Sequence, residues 1–300
     1  MKLNRLWYLC KTAATAWIDD YASSMGAAIA YYTVFSMAPL LIIAIAVAAI
    51  FFGEQAARHE MLEQLRALLG DQGANAVEMM LTNAQKPKQG TIASVLSVAT
   101  LVIGATGVFN ELESDLNRIW KVRGPEVSGI WHLLRARLLS FGLVLAIGFL
   151  LLVSLIISAG LAAWGKYWGG MFSGMETVLQ AVNFLVSLLV ITVLFALMYK
   201  ILPSVKIAWR HVWLGATVTA LLFSLGKFVI GLYIGKSSIA SSYGAAGALV
   251  VLLLWVYFSA QIFLFGAEFT KAVAEGAKTS AKSAGGNARL GVAAVLRAAA

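Results

Sequence analysis

Six long stretches of the chain carry almost no charge, and each has the length of a membrane-crossing helix. They run over about 25–52, 91–110, 138–164, 178–202, 211–235 and 243–269. A helix needs roughly 20 mostly apolar residues to cross the hydrocarbon layer. Helices on the surface of a soluble domain show a polar face at every turn, and most of these do not. The pattern predicts an all-α protein. Its core is a six-helix transmembrane bundle, with short amphipathic helices at the interface and in the outer loop.

The segments between and around the spans have their own periodicity. Residues 3–17 place Leu3, Leu6, Trp7, Cys10, Ala14 and Trp17 on one helical face, with Lys2, Arg5, Lys11 and Thr12 largely elsewhere. Such a helix lies in the inner interface or packs as a cytoplasmic helix, and it makes 1–24 an N-terminal unit. The loop 53–90 carries an apolar stripe of Ala57, Met61, Leu62, Leu65, Leu68 and Leu69. A second stripe, Val77, Met80 and Leu81, follows Gly70–Gly73. Two short amphipathic helices packed on the bundle are expected there. The transmembrane domain is set at 25–270. Beyond it, 271–300 is rich in Ala, Lys, Ser and Gly without sustained periodicity, so a flexible cytoplasmic tail is expected, with at most a weak helix at 287–300.

Composition changes this picture little. The chain is 60% hydrophobic and 12% charged, which fits the membrane class. Tryptophans gather near the predicted helix ends, at Trp17, Trp120, Trp131, Trp164, Trp209 and Trp213, where amphipathic rings sit among headgroups. The single cysteine, Cys10, excludes an intramolecular disulfide, and no Cys/His zinc spacing occurs. No cleavable signal peptide is expected, because the first 24 residues lack a continuous apolar core.

Charge adds orientation. The net charge of +9 invites a nucleic-acid reading, but cationic loops also mark the cytoplasmic side of a membrane protein. The N-terminus, the second and fourth loops and the tail hold sixteen Lys and Arg, and the opposite side holds six. Lys227 alone lies inside a span. This asymmetry places both termini in the cytoplasm, and no nucleic-acid partner is expected.

Within the spans, a few polar residues carry information. The first span reads GAAIAYYTVFSMAPLL, with Tyr31, Tyr32, Thr33 and Ser36 just before Pro39. Proline leaves the carbonyl of Phe35 without its usual donor and kinks the helix. The hydroxyls either line a polar path beside a flexible point or bond neighbouring helices. Lys227 sits about 24 Å along its helix from His211 and about 12 Å from Gly235. Facing lipid at mid-depth it would cost about 2.5–3.5 kcal/mol. It either snorkels outward or faces a wet cavity and meets an anion. Glu268 ends the sixth span, with Gln261 two turns before it. Asp115 and Arg118, three apart, are spaced to pair on a helix, and Glu268 has Lys200 or a loop arginine as expected partners.

No catalytic signature is present. His59, His132 and His211 are far apart, and there is no HExxH, GxSxG or P-loop lysine motif. No catalytic residue, metal or cofactor is expected.

Four segments carry a family resemblance: AAIAYYTVFSMAPLL (27–41), FNELESDLNRIWKV (109–122), ILPSVKIAWRHVWLGA (201–216) and SSYGAAGALVVLLLWVYFSAQIFLFGAEF (241–269). Over about 5–272 the chain resembles the YihY/BrkB family of bacterial inner-membrane proteins, formerly labelled ribonuclease BN. The resemblance implies six membrane helices and ties to virulence and to export of lipid or envelope precursors. The ribonuclease label is regarded as a misassignment. The resemblance also draws attention to Tyr31, Ser36, Pro39, Asn117, Trp120, Pro203, Lys227, Tyr243, Gly244, Trp255, Tyr257, Gly266 and Glu268.

The expected function is therefore a transporter or a lipid or envelope-precursor translocation component. Substrate contacts would come from Tyr31, Tyr32, Ser36 and Lys227. Structural or gating roles would fall to Pro39, Asn117, Trp120, Pro203, Gly244, Trp255 and Glu268. Membrane lipids are the expected partners, with an anionic lipid or envelope precursor as substrate. A non-transporting envelope assembly partner is the alternative, with an apolar groove near Leu62–Leu69. A tRNA ribonuclease using Glu111 or Asp115 is the remote one.

Overall fold

A computed structural model describes residues 3–84, 107–122, 175–236 and 247–298. Among them every regular element is a helix. These are α1 (Leu3–Asp19), α2 (Ala22–Phe52), α3 (Glu54–Ala84), α4 (107–119), α5 (Met175–Ile201), α6 (Trp209–Lys236) and α7 (Gly247–Ala298). Three contain spans long and apolar enough to cross a membrane: Ala181–Ile201, Trp209–Tyr233 and Leu249–Ala277. The bent α2 makes a fourth when its two halves are taken as one span. Of the two other expected spans, 138–164 lies outside the described residues, and so does 91–106 of the second. The structure therefore supports up to four spans among the described residues, and the count of six stands untested by it.

The axis of α2 turns by 44° between Ala22–Ala38 and Leu40–Ile50. Pro39 stands at the turn, where its missing N–H interrupts the backbone ladder. The link from α1 to α2 is tight. Tyr21 adopts left-handed backbone angles, φ 58° and ψ 41°, and lets the chain turn from one helix into the next within two residues. That conformation costs a non-glycine residue about 1–2 kcal/mol.

α3 is helical throughout but doubles back on itself. Arg58 Nη2 donates to Thr82 Oγ1 at 3.3 Å across 24 residues, which a straight helix would hold about 36 Å apart. Gly70 and Gly73 fall between the two arms. Ala57 and Leu62 from one arm join Val77 and Leu81 from the other in a single buried cluster. That cluster is completed by Ala30, Val34, Ile45 and Ala48 of α2 and by Leu252 and Val256 of α7. Of the stripe near which the alternative reading put a groove, Leu62 is buried and Leu65 packs beside it, while the side chains of Leu68 and Leu69 lie outside the described ones.

α1 packs at the other end of the bundle. Leu9 and Ala13 meet Phe269 and Ala272 of α7, with Leu6 and Cys10 alongside. Trp7 was expected on that face but is 75% exposed, because the helix turns its Leu6–Leu9–Ala13 edge toward α7. The seam also crosses the expected boundary at 270. Lys271, Ala272 and Ala274 are buried, and the backbone stays helical to Ala298 where a disordered tail was expected. Ala and Lys are strong helix formers, and α7 enters the segment already nucleated.

Between these ends lies the central cluster. Leu116 and Ile119 of α4, Ala196 and Tyr199 of α5, Val212 and Ala216 of α6, and Leu264 and Ala267 of α7 are its buried members, with Met25 and Ile29 of α2. Small residues let the backbones approach, which matters in lipid because packing replaces the hydrophobic drive between helices.

Candidate functional site

On α2, Ser36 is 1% exposed, whereas Tyr31 and Tyr32 are 57% and 41% exposed. Their rings cluster with Phe35: Tyr31 is 5.6 Å from Tyr32 and 4.7 Å from Phe35, centroid to centroid. Gly107 of α4 comes up against Tyr32 and Ser36, and a methyl there would stand 3.4 Å from the Tyr32 ring. Ser36 therefore sits in a helix–helix seam, while the two tyrosines point away from the packed core.

Lys227 is half-buried on α6 and forms no hydrogen bond or ion pair with a described residue. It lies six residues, about 9 Å, from the Tyr233 end of its apolar span. Its neighbour Gly226 abuts Ile262 Cδ1, which places this level of α6 beside the middle of the apolar span of α7. Tyr31 and Lys227 were expected to share a substrate. Their helices each pack against α7 and not mainly against one another, so the described residues do not bring the two groups together.

A buried polar node ties α5, α6 and α7. The Tyr199 hydroxyl donates to Phe263 O at 2.7 Å and lies 3.0 Å from Thr219 Oγ1. Thr219 Oγ1 donates to Gly215 O at 2.8 Å, and Thr270 Oγ1 to Gly266 O at 2.7 Å. Gly266 is required here: a Cβ would overlap Thr219 Oγ1 and the Tyr199 hydroxyl and stand 2.9 Å from Thr219 Cβ. Aromatic rings extend the node. Phe263 stacks on Tyr199 at 5.1 Å, and Phe223 meets Trp255 edge-on at 6.0 Å.

At the α1 end, Glu268 is 1% exposed. Its cationic neighbour is Lys271, 3.8 Å away, and not Lys200 or a loop arginine as expected. Lys200 instead donates to Ile207 O and lies 5.5 Å from the Trp209 ring centre, so it clamps the loop between α5 and α6. Lys271 also approaches Asp20 at 4.0 Å. Asp20 was not singled out from the sequence. The spacing of Glu268 and Lys271, three apart on one helix, is the signal that could have found their pairing.

The end of α4 is pinned to the same loop. Ser204 N–H donates to Asn117 Oδ1 at 2.8 Å, and Asn117 Nδ2 donates to Ser204 Oγ at 3.3 Å. Pro203 is buried next to this contact, and Trp120 packs against the central cluster. Lys121 N–H reaches Arg118 O and Val122 N–H reaches Asn117 O, a Schellman closure with Lys121 left-handed at φ 53°. Asp115 is 5% exposed and forms no ion pair with Arg118. Burial pushes its carboxyl up to about 7, the Glu111 charge pushes the same way, and Arg118 opposes. Gly244 and Tyr243 lie outside the described residues. No group of three or more His, Cys, Asp or Glu that could hold a metal occurs among the described residues.

Comparison with known proteins bears on the whole chain. A family model described as virulence factor BrkB matches residues 13–290. A UPF0761 membrane protein of Alcanivorax borkumensis is 30% identical over 262 residues, 85% of this chain and 58% of that protein. One from Tolumonas auensis is 28% identical over 199 residues, 66% of this chain and 61% of that protein. One from Actinobacillus pleuropneumoniae is 28% identical over 255 residues, 80% of this chain and 84% of that protein. The chain spans about three-fifths of the length of the first two. No solved structure matches it. With several apolar helices of membrane-crossing length and a family match over nearly its whole length, this multi-pass membrane protein belongs to the BrkB virulence-factor family.

Proposed function

We propose that the protein is a transporter, or a translocation component, for an anionic lipid or envelope precursor in the bacterial inner membrane. In this reading both termini face the cytoplasm, and the protein performs no covalent chemistry. The observation that carries the reading is Lys227, whose backbone lies about 9 Å along α6 from the end of an apolar span and whose ammonium has no ion-pair partner among the described residues. An unpaired charge at that depth is costly unless something polar meets it. The complement of an ammonium is an anion such as a lipid phosphate. The bent α2, with its two exposed tyrosines, supplies a second polar surface and a point of flexure.

The test is reconstitution into vesicles containing a fluorescent anionic phospholipid, with transfer between leaflets followed by chemical quenching. The wild type is expected to speed transfer. Lys227→Met should lose about tenfold or more, the value of one charge-assisted contact. Lys227→Arg should keep part of the rate. A wild-type protein no faster than empty vesicles, or a Lys227→Met variant as fast as wild type, would remove this reading.

A further inference from the structure

The loop between α5 and α6 is held more firmly than a connection between two helices requires. Asn117 of α4 makes two hydrogen bonds to Ser204. Lys200 donates to Ile207 O and lies against the Trp209 ring. The N–H groups of His211 and Val212 close the first turn of α6 onto Ala208 O. Two cations stand on this fixed frame, one on each side of the helix start. Lys206 and Arg210 are both exposed, and neither pairs with an acid among the described residues. Arg210 donates Nε–H to His211 Nε2 at 3.0 Å, an acceptor that carries no negative charge. From Lys200 to Lys236 the sequence holds no Asp or Glu.

An apolar row rises from the same point. Trp213, Thr217, Leu221 and Leu225 follow at four-residue intervals, one above the other on α6. All four are exposed. Thr217 Oγ1 donates to Trp213 O at 2.8 Å, so the hydroxyl in the row is satisfied by its own helix. Arg210 lies three residues before Trp213, on the same side of the helix. From Trp213 to Leu225 the row rises about 18 Å. One leaflet of the hydrocarbon layer is about 15 Å deep. Cations, then an amphipathic ring, then an apolar row one leaflet long match the parts of a phospholipid in their order.

We propose that this edge of α6 seats one anionic phospholipid, with Lys206 and Arg210 holding its phosphate and an acyl chain lying along Trp213, Thr217, Leu221 and Leu225. The guanidinium offers a phosphate a planar fork of N–H donors, and the ammonium adds a point charge. Two positive charges with no acid beside them favour an anionic headgroup over a zwitterionic one, whose own ammonium they repel. The pinned loop holds the backbone of both cations in place beforehand, so less ordering is left for the lipid to impose. Lys227 has no part in this seat, since it lies about 25 Å along α6 from Arg210. The lipid is a resident of the fold and not its cargo, so its binding stands or falls apart from the function proposed above.

Native mass spectrometry of the full chain in detergent tests it. The protein would be titrated with phosphatidylglycerol or with phosphatidylethanolamine of the same acyl chains. The first phosphatidylglycerol should bind about tenfold or more tighter than the first phosphatidylethanolamine. One cation near a membrane surface contributes about fivefold toward an anionic lipid. Lys206→Gln and Arg210→Gln should each weaken phosphatidylglycerol by about that factor, and the pair by about 25-fold, with phosphatidylethanolamine unchanged. Lys11→Gln removes an exposed cation from α1 and should leave both affinities as they were, as should Lys227→Met. Inorganic phosphate in about hundredfold excess should not displace the lipid, because the acyl row carries part of the binding. Equal affinity for the two lipids would overturn the proposal. So would a Lys11→Gln loss as large as that of Arg210→Gln, which would mark general surface charge. Displacement by phosphate would assign the cations to a free anion, and a lipid-free dimer would assign the row to a second copy of the chain; either rejects the lipid. Should a variant aggregate, the wild-type preference and the phosphate competition decide by the same criteria.

Discussion

Gly266→Ala is the sharpest test of how the bundle is held together. The added methyl would land on Thr219 Oγ1 and the Tyr199 hydroxyl and press within 2.9 Å of Thr219 Cβ. None of these can step aside freely. Thr219 is 0% exposed and donates to Gly215 O, and Tyr199 is 1% exposed and donates to Phe263 O. Overpacking of a tight core costs about 1–3 kcal/mol. Displacing one of the buried hydrogen bonds adds about 1–3 kcal/mol. Better helix propensity returns at most about 1 kcal/mol. The expected net loss is about 1–5 kcal/mol, which is large against the few kcal/mol that separate folded from unfolded. Reversible unfolding in mixed micelles, followed by circular dichroism, would measure it. Gly231→Ala is the control, since a Cβ there meets nothing within 4 Å, and it should be neutral or slightly stabilising. Thr219→Ala in the Gly266→Ala background removes the nearest obstruction and should recover about 1 kcal/mol or more as a coupling energy. A Gly266→Ala protein within about 0.5 kcal/mol of wild type, or one that Thr219→Ala leaves unimproved, would refute the packing argument.

Other predictions concern single contacts. Asp115 binds its proton more tightly folded, at about 7, than at its ordinary value of 3.8, so it makes stability fall as pH rises between those values and level off above. Asp115→Asn should remove that fall and stabilise the protein on the alkaline side, and identical pH profiles for variant and wild type would count against it. Asn117→Ala should cost about 1–2 kcal/mol by releasing the 202–208 loop, seen as faster proteolysis there. Gly26→Ala should cost less than Gly266→Ala, because its obstruction is the flexible end of Gln261, and unfolding midpoints would rank the two. A reporter fused after Ala300 should be active only as a cytoplasmic reporter, as the Lys and Arg asymmetry requires, and activity of a periplasmic reporter there would reverse the topology.

Apolar runs, turn residues and charge asymmetry are properties of one dimension, and the sequence by itself determined what they control. Bilayer thickness sets how long a span must be, so 178–202, 211–235 and, from Gly247 on, 243–269 fall on the apolar parts of α5, α6 and α7. Proline chemistry is local, so a turn in α2 at Pro39 followed from a missing N–H. The two stripes around Gly70–Gly73 announced two arms, and α3 does double back between them. The family was legible for the same reason, since its motifs are short and ordered along the chain.

Contacts between helices depend on how each is rotated and where it crosses its neighbours, and only the tertiary structure decided those. Lys271 lies near Glu268 and near Asp20, while Lys200 is engaged elsewhere, because the packing of α1 brings its end beside α7. Tyr199 and Thr219 are unremarkable residues in two apolar runs, and Gly266 is marked in a third by the family resemblance alone, until the crossing brings them within one hydroxyl's reach. Tyr31 and Lys227, the two polar signals that looked alike in sequence, lie on helices that each meet α7 more than each other. A period of 3.6 residues says which residues share a face, but the partner of that face is chosen by side-chain packing summed over the whole bundle.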